Sequence, residues 1–181
     1  ASRVQAHRGR TAAAGLHPRM SASSLPTSLV VEPVAGALGA ELSGVDLTRS
    51  LSSETVAAIR RAWLEHGVIF FREQDLPPAT FLGFARQFGE PIEYPFVKGL
   101  PEHPEIIPVL KLASERINFG GLWHSDTTYL EIPPMGSMLL AREVPPYGGD
   151  TVFANQYMAY EALSDGLKAV LDGLIGVSSS T

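Results

Sequence analysis

The stretch GGLWHSDTTYLEIPP, residues 120–134, decides how the rest of the chain is interpreted, because it places a histidine and a carboxylate two positions apart. In an extended strand, residues i and i+2 project from the same face, whereas in a helix they point to nearly opposite sides. The flanking Trp123 and Thr127 favour extended backbone. We therefore predict that this segment is a strand and that His124 and Asp126 converge on one point.

An imidazole and a carboxylate are ligand types of the two-His-one-carboxylate triad of non-haem Fe(II) sites, which leaves three coordination positions open. The chain has no cysteine, so any metal must be held by nitrogen and oxygen donors. Taken alone, an H-x-D pair is a weak signal, since a surface turn can contain the same two residues by chance. The pair also cannot hold iron by itself, and a third ligand must come from elsewhere.

Composition narrows the classes of partner. The net charge is −5 and the Lys and Arg residues are scattered, which argues against nucleic acid. No apolar run approaches the length needed to cross a bilayer. The absence of cysteine suits a reducing cytoplasm. We expect a small-molecule substrate and no membrane partner, and a homo-oligomer is one alternative for the assembly.

With 181 residues, the chain is long enough for one sizeable core, and we interpret residues 28–181 as part of a single domain. Residues 1–27 are interpreted as a leader or artefact that carries no chemistry. Their start is rich in Arg and free of acidic residues, which is also typical of an organellar transit peptide.

Local patterns predict a mixed α/β fold. Two short strands follow Ser28, and LSSETVAAIRRAWLEHG predicts a helix with Ser52 or Ser53 as N-cap and Gly67 just past its end. The run VIFF, residues 68–71, has no polar alternation and indicates a strand buried on both faces.

The remaining elements are predicted by the same signals. A second helix begins near Pro78 and ends at Gly89, and two short helical pieces follow residue 156 with a break near Ser164. Four more segments are predicted as strands, in whole or in part: EIIPVLKL (105–112), MGSMLLARE (135–143), TVFA (151–154) and IGVSSST (175–181).

Several linked motifs raise the metal interpretation above chance. The sequence LWHSDTTYLEIPPMGSMLLAREVPPYGGDTVFAN closely resembles the iron-binding core of the taurine dioxygenase family, the Fe(II)- and 2-oxoglutarate-dependent oxygenases. In that family a W-H-x-D strand is followed by P-P and then by G-G-D-T. The matching residues here, in the same order and spacing, are Trp123-His124-Ser125-Asp126, Pro133-Pro134 and Gly148-Gly149-Asp150-Thr151.

The resemblance covers the chain from about Leu29 onward and implies a double-stranded β-helix, or jelly roll, with flanking helices. It implies that His124 and Asp126 are iron ligands and that Thr151 hydrogen-bonds a carboxylate of 2-oxoglutarate. Iron, 2-oxoglutarate and O2 would then hydroxylate a small, anionic organic acid or sulfonate, with release of succinate and CO2. Because Asp126 is present, the sequence resembles a hydroxylase rather than a related halogenase, which has Ala or Gly there.

The chain departs from the family pattern in two ligands. The second iron-binding His and the Arg that pairs with 2-oxoglutarate lie, in the family, beyond the point where this chain ends. We expect that the C-terminal part is absent from this chain, and the alternative is a degenerate, non-catalytic relative. His103 is a weak candidate for the third ligand, and Mn or Zn is an alternative metal.

Substrate contacts in the family often come from the segment before the H-x-D motif, which here points to Tyr94, Phe96 and Asn118. Ordinary aromatic packing is the alternative for the two rings. The taurine enzymes have an Asn four residues before the first ligand, where this chain has Gly120. Taurine itself is therefore not the expected substrate.

Overall fold

The structure is a computed structural model that describes residues 29–112, 114–116 and 120–179. The predicted leader, residues 1–27, and the predicted substrate residue Asn118 lie outside these ranges.

A three-stranded sheet lies at the centre of the N-terminal part, in the order β1-β2-β3. Strand β1 (Val30–Pro33) pairs antiparallel with β2 (Ala40–Ser43), and β2 pairs parallel with β3 (Ile69–Phe70). Gly39 closes the hairpin with a φ of +98°, and a Cβ there would lie 2.8 Å from Cγ2 of Val34. The two strands predicted after Ser28 are confirmed. The strand predicted in VIFF is also present, but it has only two residues and is half-buried rather than buried on both faces.

Helix α1 (Ser53–His66) connects the two parallel strands and covers the sheet. The Ser52 hydroxyl caps it by accepting a hydrogen bond from the Thr55 amide, so Ser52 rather than Ser53 is the N-cap. At the other end Gly67 takes a φ of +71° and its N–H donates to the carbonyl of Trp63, as the glycine signal predicted. The buried face of the helix consists of Thr55, Ala58, Ile59 and Ala62, whose spacing follows the helical repeat.

Helix α2 (Pro78–Ala85) begins with proline at a position that needs no amide donor. It is shorter than predicted, because turns replace the helix between Arg86 and Gly89. Its Phe84 is 4% exposed and packs edge-on against Phe71 at 5.9 Å and Phe88 at 5.2 Å between ring centroids. Together with α1 and the sheet, these rings enclose the hydrophobic core.

Two short helices end the described chain. Helix α3 (Gln156–Glu161) is capped by Asn155, and α4 (Asp165–Leu171) is capped by Ser164. The predicted break near Ser164 is confirmed, since this residue starts the second helix. Neither helix buries a residue against the rest of the described chain.

The four later strands were predicted wrongly for the described residues. Their segments have no strand between Leu100 and residue 179, apart from an isolated bridge between Leu100 and His103. A strand exists only where a neighbour accepts and donates its backbone hydrogen bonds, and the described residues provide no such neighbour. Apolar side chains in these segments are accordingly exposed, such as Leu110 at 74% and Val177 at 90%.

One irregular segment, residues 135–142, is nevertheless fixed to the helices, and we call it the anchored segment. A Cβ added at Gly136 would overlap the indole of Trp63 in α1, so only glycine permits this contact. Leu140 packs against the core, and the Arg142 guanidinium donates to the carbonyl of Leu76 and to Asp75 at 2.9 Å. These contacts hold the segment in place without a sheet.

The architecture is a mixed α/β arrangement, as the sequence predicted. Within the described ranges the sheet has three strands, and the double-stranded β-helix does not form there. None of the helices in the described part of the chain is long and apolar enough to cross a membrane.

Replacing Ile59 by Ala tests whether α1 closes the core. Ile59 is 0% exposed, so we expect Ile59→Ala to lower the free energy of unfolding by about 2–5 kcal/mol. Leu64, on the same helix and 70% exposed, is the matched control, and Leu64→Ala should change that free energy by less than about 0.5 kcal/mol. Urea unfolding followed by circular dichroism measures both, and equal effects would contradict the assigned buried face.

Candidate functional site

His124 and Asp126 face each other, although their segment is not the predicted strand. Nε2 of His124 lies 3.0 Å from Oδ1 of Asp126. A turn beginning at Asp126 produces this contact, and Thr127 within it takes a φ of +52°. The strand prediction is wrong here, but the turn achieves the convergence that the strand was expected to give.

The turn at Thr127 is strained. A β-branched residue in the left-handed region is an outlier, and such conformations persist mainly where the surroundings enforce them, often at functional sites. The Thr127 hydroxyl oxygen is also buried and has no hydrogen-bond partner among the described residues. Both features make Thr127 an energetically costly position in this turn.

A backbone carbonyl orients the imidazole. Nδ1 of His124 lies 2.7 Å from the carbonyl oxygen of Leu122, which can only accept, so Nδ1 carries the proton. In the neutral ring this leaves the lone pair on Nε2, the atom that faces Asp126. Ligating histidines in metal sites are typically fixed in this way, with the other ring N–H donating to a carbonyl or carboxylate.

Space around the ring also depends on glycine. Gly120 takes a φ of +70°, and a Cβ at this position would lie 3.3 Å from Cε1 of His124. A larger side chain there would be strained in its backbone and close to the ring.

The carboxylate is held by a residue that no sequence motif marks as functional. The hydroxyl of Ser137, in the anchored segment, donates to Oδ2 of Asp126 at 2.9 Å. Oδ1 is thereby left facing Nε2 of His124. Eleven positions separate the two residues in the chain, and no short-range pattern marks such a pair.

The geometry fits a shared metal ion. The observed 3.0 Å is the length of a direct imidazolium–carboxylate hydrogen bond, and two donors that each lie about 2.1 Å from one metal and subtend about 90° would be separated by about the same distance. Among the described residues, no group of three or more His, Asp or Glu side chains is placed to share one ion. Within the described ranges the pair thus lacks a third protein ligand, and His103 does not supply it.

An aromatic cluster lies beside the pair. The Tyr129 hydroxyl donates to that of Tyr94 at 3.1 Å, and the ring of Phe96 contacts both, at centroid distances of 5.7 Å to Tyr94 and 5.9 Å to Tyr129. The hydrogen bond to Tyr94 and, to a lesser extent, the charge of Asp126 raise the pKa of Tyr129 to about 12. Tyr129 therefore remains a protonated donor at neutral pH.

The predicted substrate residues Tyr94 and Phe96 thus reach the H-x-D segment through Tyr129, which sequence reasoning missed. They also line a cleft of about 430 Å³ within residues 93–104. A larger open groove of about 800 Å³ lies between α1 and α2 and is lined by neither His124 nor Asp126.

Thr151 is exposed and follows a double-glycine turn. Gly148 and Gly149 take φ values of +78° and +73°, which only glycine adopts without strain. The backbone bends at Pro146 and Tyr147, immediately before these two glycines. The structure gives Thr151 no contact with the His124–Asp126 pair.

Trp123, the neighbour of His124 that was expected to favour an extended strand, is 71% exposed and lies outside any strand.

Comparisons with known proteins agree on one family. The family model described as taurine catabolism dioxygenase TauD, TfdA family matches residues 31–180. An alpha-ketoglutarate-dependent sulfate ester dioxygenase of Pseudomonas putida is 38% identical over 167 residues, which cover 89% of this chain and 54% of that protein. An alpha-ketoglutarate-dependent 2,4-dichlorophenoxyacetate dioxygenase of Cupriavidus pinatubonensis is 33% identical over 165 residues, or 81% of this chain and 57% of the relative.

A solved structure gives the same result. A taurine dioxygenase from Burkholderia xenovorans superimposes with a TM-score of 0.65 at 39% identity, covering 81% of this chain and 51% of that one. The chain spans about half the length of the curated relatives it matches.

The titration of His124 tests its two contacts in the metal-free protein. The carbonyl of Leu122 first, and then the charge of Asp126, raise the pKa of His124 above its ordinary value. The favoured imidazolium form contributes to stability below about pH 6.5, and this contribution is lost as the pH rises through the raised pKa.

We expect Asp126→Asn to lower the pKa of His124 partway towards its ordinary value, as measured by NMR of the histidine ring. Asp165→Asn, at the start of α4, is the matched charge control and should leave it unchanged. An unchanged titration in Asp126→Asn would show that the two side chains are not paired in solution.

Proposed function

We propose, from the premise that this chain belongs to the taurine catabolism dioxygenase TauD, TfdA family, that the full-length protein is an Fe(II)- and 2-oxoglutarate-dependent dioxygenase. The supporting observation is that His124 and Asp126, the two candidate ligands of the W-H-x-D motif, face each other with Nε2 3.0 Å from Oδ1. A third ligand and an Arg for 2-oxoglutarate would come from residues outside the described ranges.

The roles of the described residues follow from their donor atoms. His124 would hold the metal through Nε2 while Nδ1 stays bonded to the Leu122 carbonyl, and Asp126 would bind through Oδ1. A facial set of three protein ligands leaves positions for 2-oxoglutarate and O2. Thr151, placed after the double-glycine turn, would donate its hydroxyl to a carboxylate of 2-oxoglutarate.

Iron, with 2-oxoglutarate and O2, supplies the oxidant that converts a substrate C–H into C–OH and leaves succinate and CO2. The chain's part is to fix the donors and to position the substrate. Tyr94 and Phe96 would form a wall of the substrate site, with Tyr129 linking them to the metal-binding turn. Asn118 remains a proposed substrate contact from the sequence alone.

The substrate class is proposed as a small anionic molecule, namely a sulfonate, a sulfate ester or an aryloxy or other carboxylic acid. Relatives carry the names of a sulfate ester dioxygenase and a 2,4-dichlorophenoxyacetate dioxygenase, which span this chemistry. Gly120 in place of Asn argues against taurine itself.

The wider setting is also part of the proposal. Residues 28–181 would form the N-terminal portion of one jelly-roll domain, completed by strands that pair with the exposed apolar segments. A cytoplasmic location is proposed because the chain contains no cysteine, and a homo-oligomer remains one alternative for its assembly.

Anaerobic addition of Fe(II) and 2-oxoglutarate to the full-length protein should produce a visible metal-to-ligand charge-transfer band, and air should then release succinate. His124→Ala and Asp126→Ala each remove a ligand, so we expect losses of at least about 100-fold in succinate formation, beyond the effect of changing a residue that only orients a ligand. Asp165→Asn is the control. A wild-type protein with neither band nor succinate would instead be a non-catalytic binding protein.

Tyr94→Phe tests the substrate wall in a panel of sulfonates, sulfate esters and aryloxy acids assayed by succinate release. Loss of one hydroxyl hydrogen bond, about 0.5–1.5 kcal/mol, should raise KM for the preferred substrate about two- to tenfold. KM for 2-oxoglutarate should not change. Tyr157→Phe, on α3 and 87% exposed, is the matched control, and equal effects of the two variants would refute the assignment.

A further inference from the structure

Asp126 could bind a metal through one oxygen or through both. A facial triad leaves three positions, of which a chelating 2-oxoglutarate takes two and O2 takes one. A carboxylate that used both oxygens would occupy a position needed by these co-substrates. The site therefore requires that Asp126 bind the metal through one oxygen only, and a partner for the other oxygen favours that mode.

The second oxygen is engaged by Ser137. Its hydroxyl donates to Oδ2 at 2.9 Å, while Oδ1 faces Nε2 of His124 at 3.0 Å. Both carboxylate oxygens thus have separate partners, and the side chain is held in one orientation although it is 57% exposed.

The position of Ser137 is itself set by the helices. Its neighbour Gly136 lies against the indole of Trp63, and Leu140 packs on the core. On the preceding side, Nη1 of Arg60 in α1 lies 3.6 Å from the sulfur of Met135. The serine therefore connects the rigid helical part of the chain to an otherwise irregular turn.

We propose that Ser137 is a positioning residue that keeps Asp126 a one-oxygen ligand and so keeps a coordination position open for 2-oxoglutarate. This rests on the proposed Fe(II) site. Ser137 acts only through Asp126 and contacts neither metal nor substrate. Two consequences follow. The Ser137 hydroxyl increases the affinity for the metal, and its removal raises the Kd for 2-oxoglutarate even when the metal site is saturated.

The test uses the full-length protein and the variants Ser137→Ala and Ser137→Thr. Fe(II) affinity and the 2-oxoglutarate charge-transfer band are measured anaerobically, with Mn(II) affinity measured independently by electron paramagnetic resonance. We expect Ser137→Ala to weaken metal binding about 10- to 100-fold and, at saturating metal, to raise the Kd for 2-oxoglutarate and shift the band. Ser137→Thr keeps the hydroxyl and should restore most of both. Melting temperatures should be unchanged.

Two further variants separate the hydroxyl from general packing. Ser50→Ala removes an exposed hydroxyl from the loop before α1 and should behave as wild type. In an Asp126→Ala background, adding Ser137→Ala should cause no additional loss of Mn(II) affinity, because the serine then has no carboxylate to hold.

Wild-type metal and 2-oxoglutarate binding in Ser137→Ala would overturn the proposal, as would equal losses in the Ala and Thr variants. If the wild-type protein forms the charge-transfer band and Ser137→Ala forms it equally well, the dioxygenase assignment stands and this inference fails. If wild-type protein binds neither Fe(II) nor Mn(II), both fail together.

Discussion

The candidate site depends on keeping two donor atoms about 3 Å apart on a segment that has no regular secondary structure. The separation of Nε2 of His124 and Oδ1 of Asp126 is 3.0 Å, and neither side chain is buried. Exposed side chains usually sample several rotamers, so an external constraint on each is needed. The Leu122 carbonyl provides one for the imidazole, and the Ser137 hydroxyl provides the other for the carboxylate.

Those two hydrogen bonds orient the imidazole and the carboxylate only if the Leu122 carbonyl and the Ser137 hydroxyl are themselves held in place. The sheet, α1 and α2 enclose the core and act as the platform, because α1 has defined caps and a continuous buried face. The anchored segment, residues 135–142, is attached to this platform through Gly136 and Arg142. The orientation of Asp126 thereby depends on the folded N-terminal part, although Asp126 itself does not contact the core.

Short-range sequence signals predicted the elements whose hydrogen bonds are also short-range. Helix α1, its Ser52 cap and its Gly67 end follow from short-range hydrogen bonds, and so does the break before α4 at Ser164. The later strands could not be judged in this way, because a strand depends on partners far away in sequence. Ser137 was missed for the same reason, since its role follows from a contact across eleven residues. His124 and Asp126 were found because the motif resembles a family core, although the turn that joins them was not expected.

A crystal structure of the full-length protein with Mn(II) and a non-reactive analogue of 2-oxoglutarate tests the central claim most directly. Anomalous scattering at the manganese edge should place one ion about 2.0–2.2 Å from both Nε2 of His124 and Oδ1 of Asp126, with Oδ2 still bonded to Ser137. An ion bound elsewhere, or bound without either of these two atoms, would contradict the account.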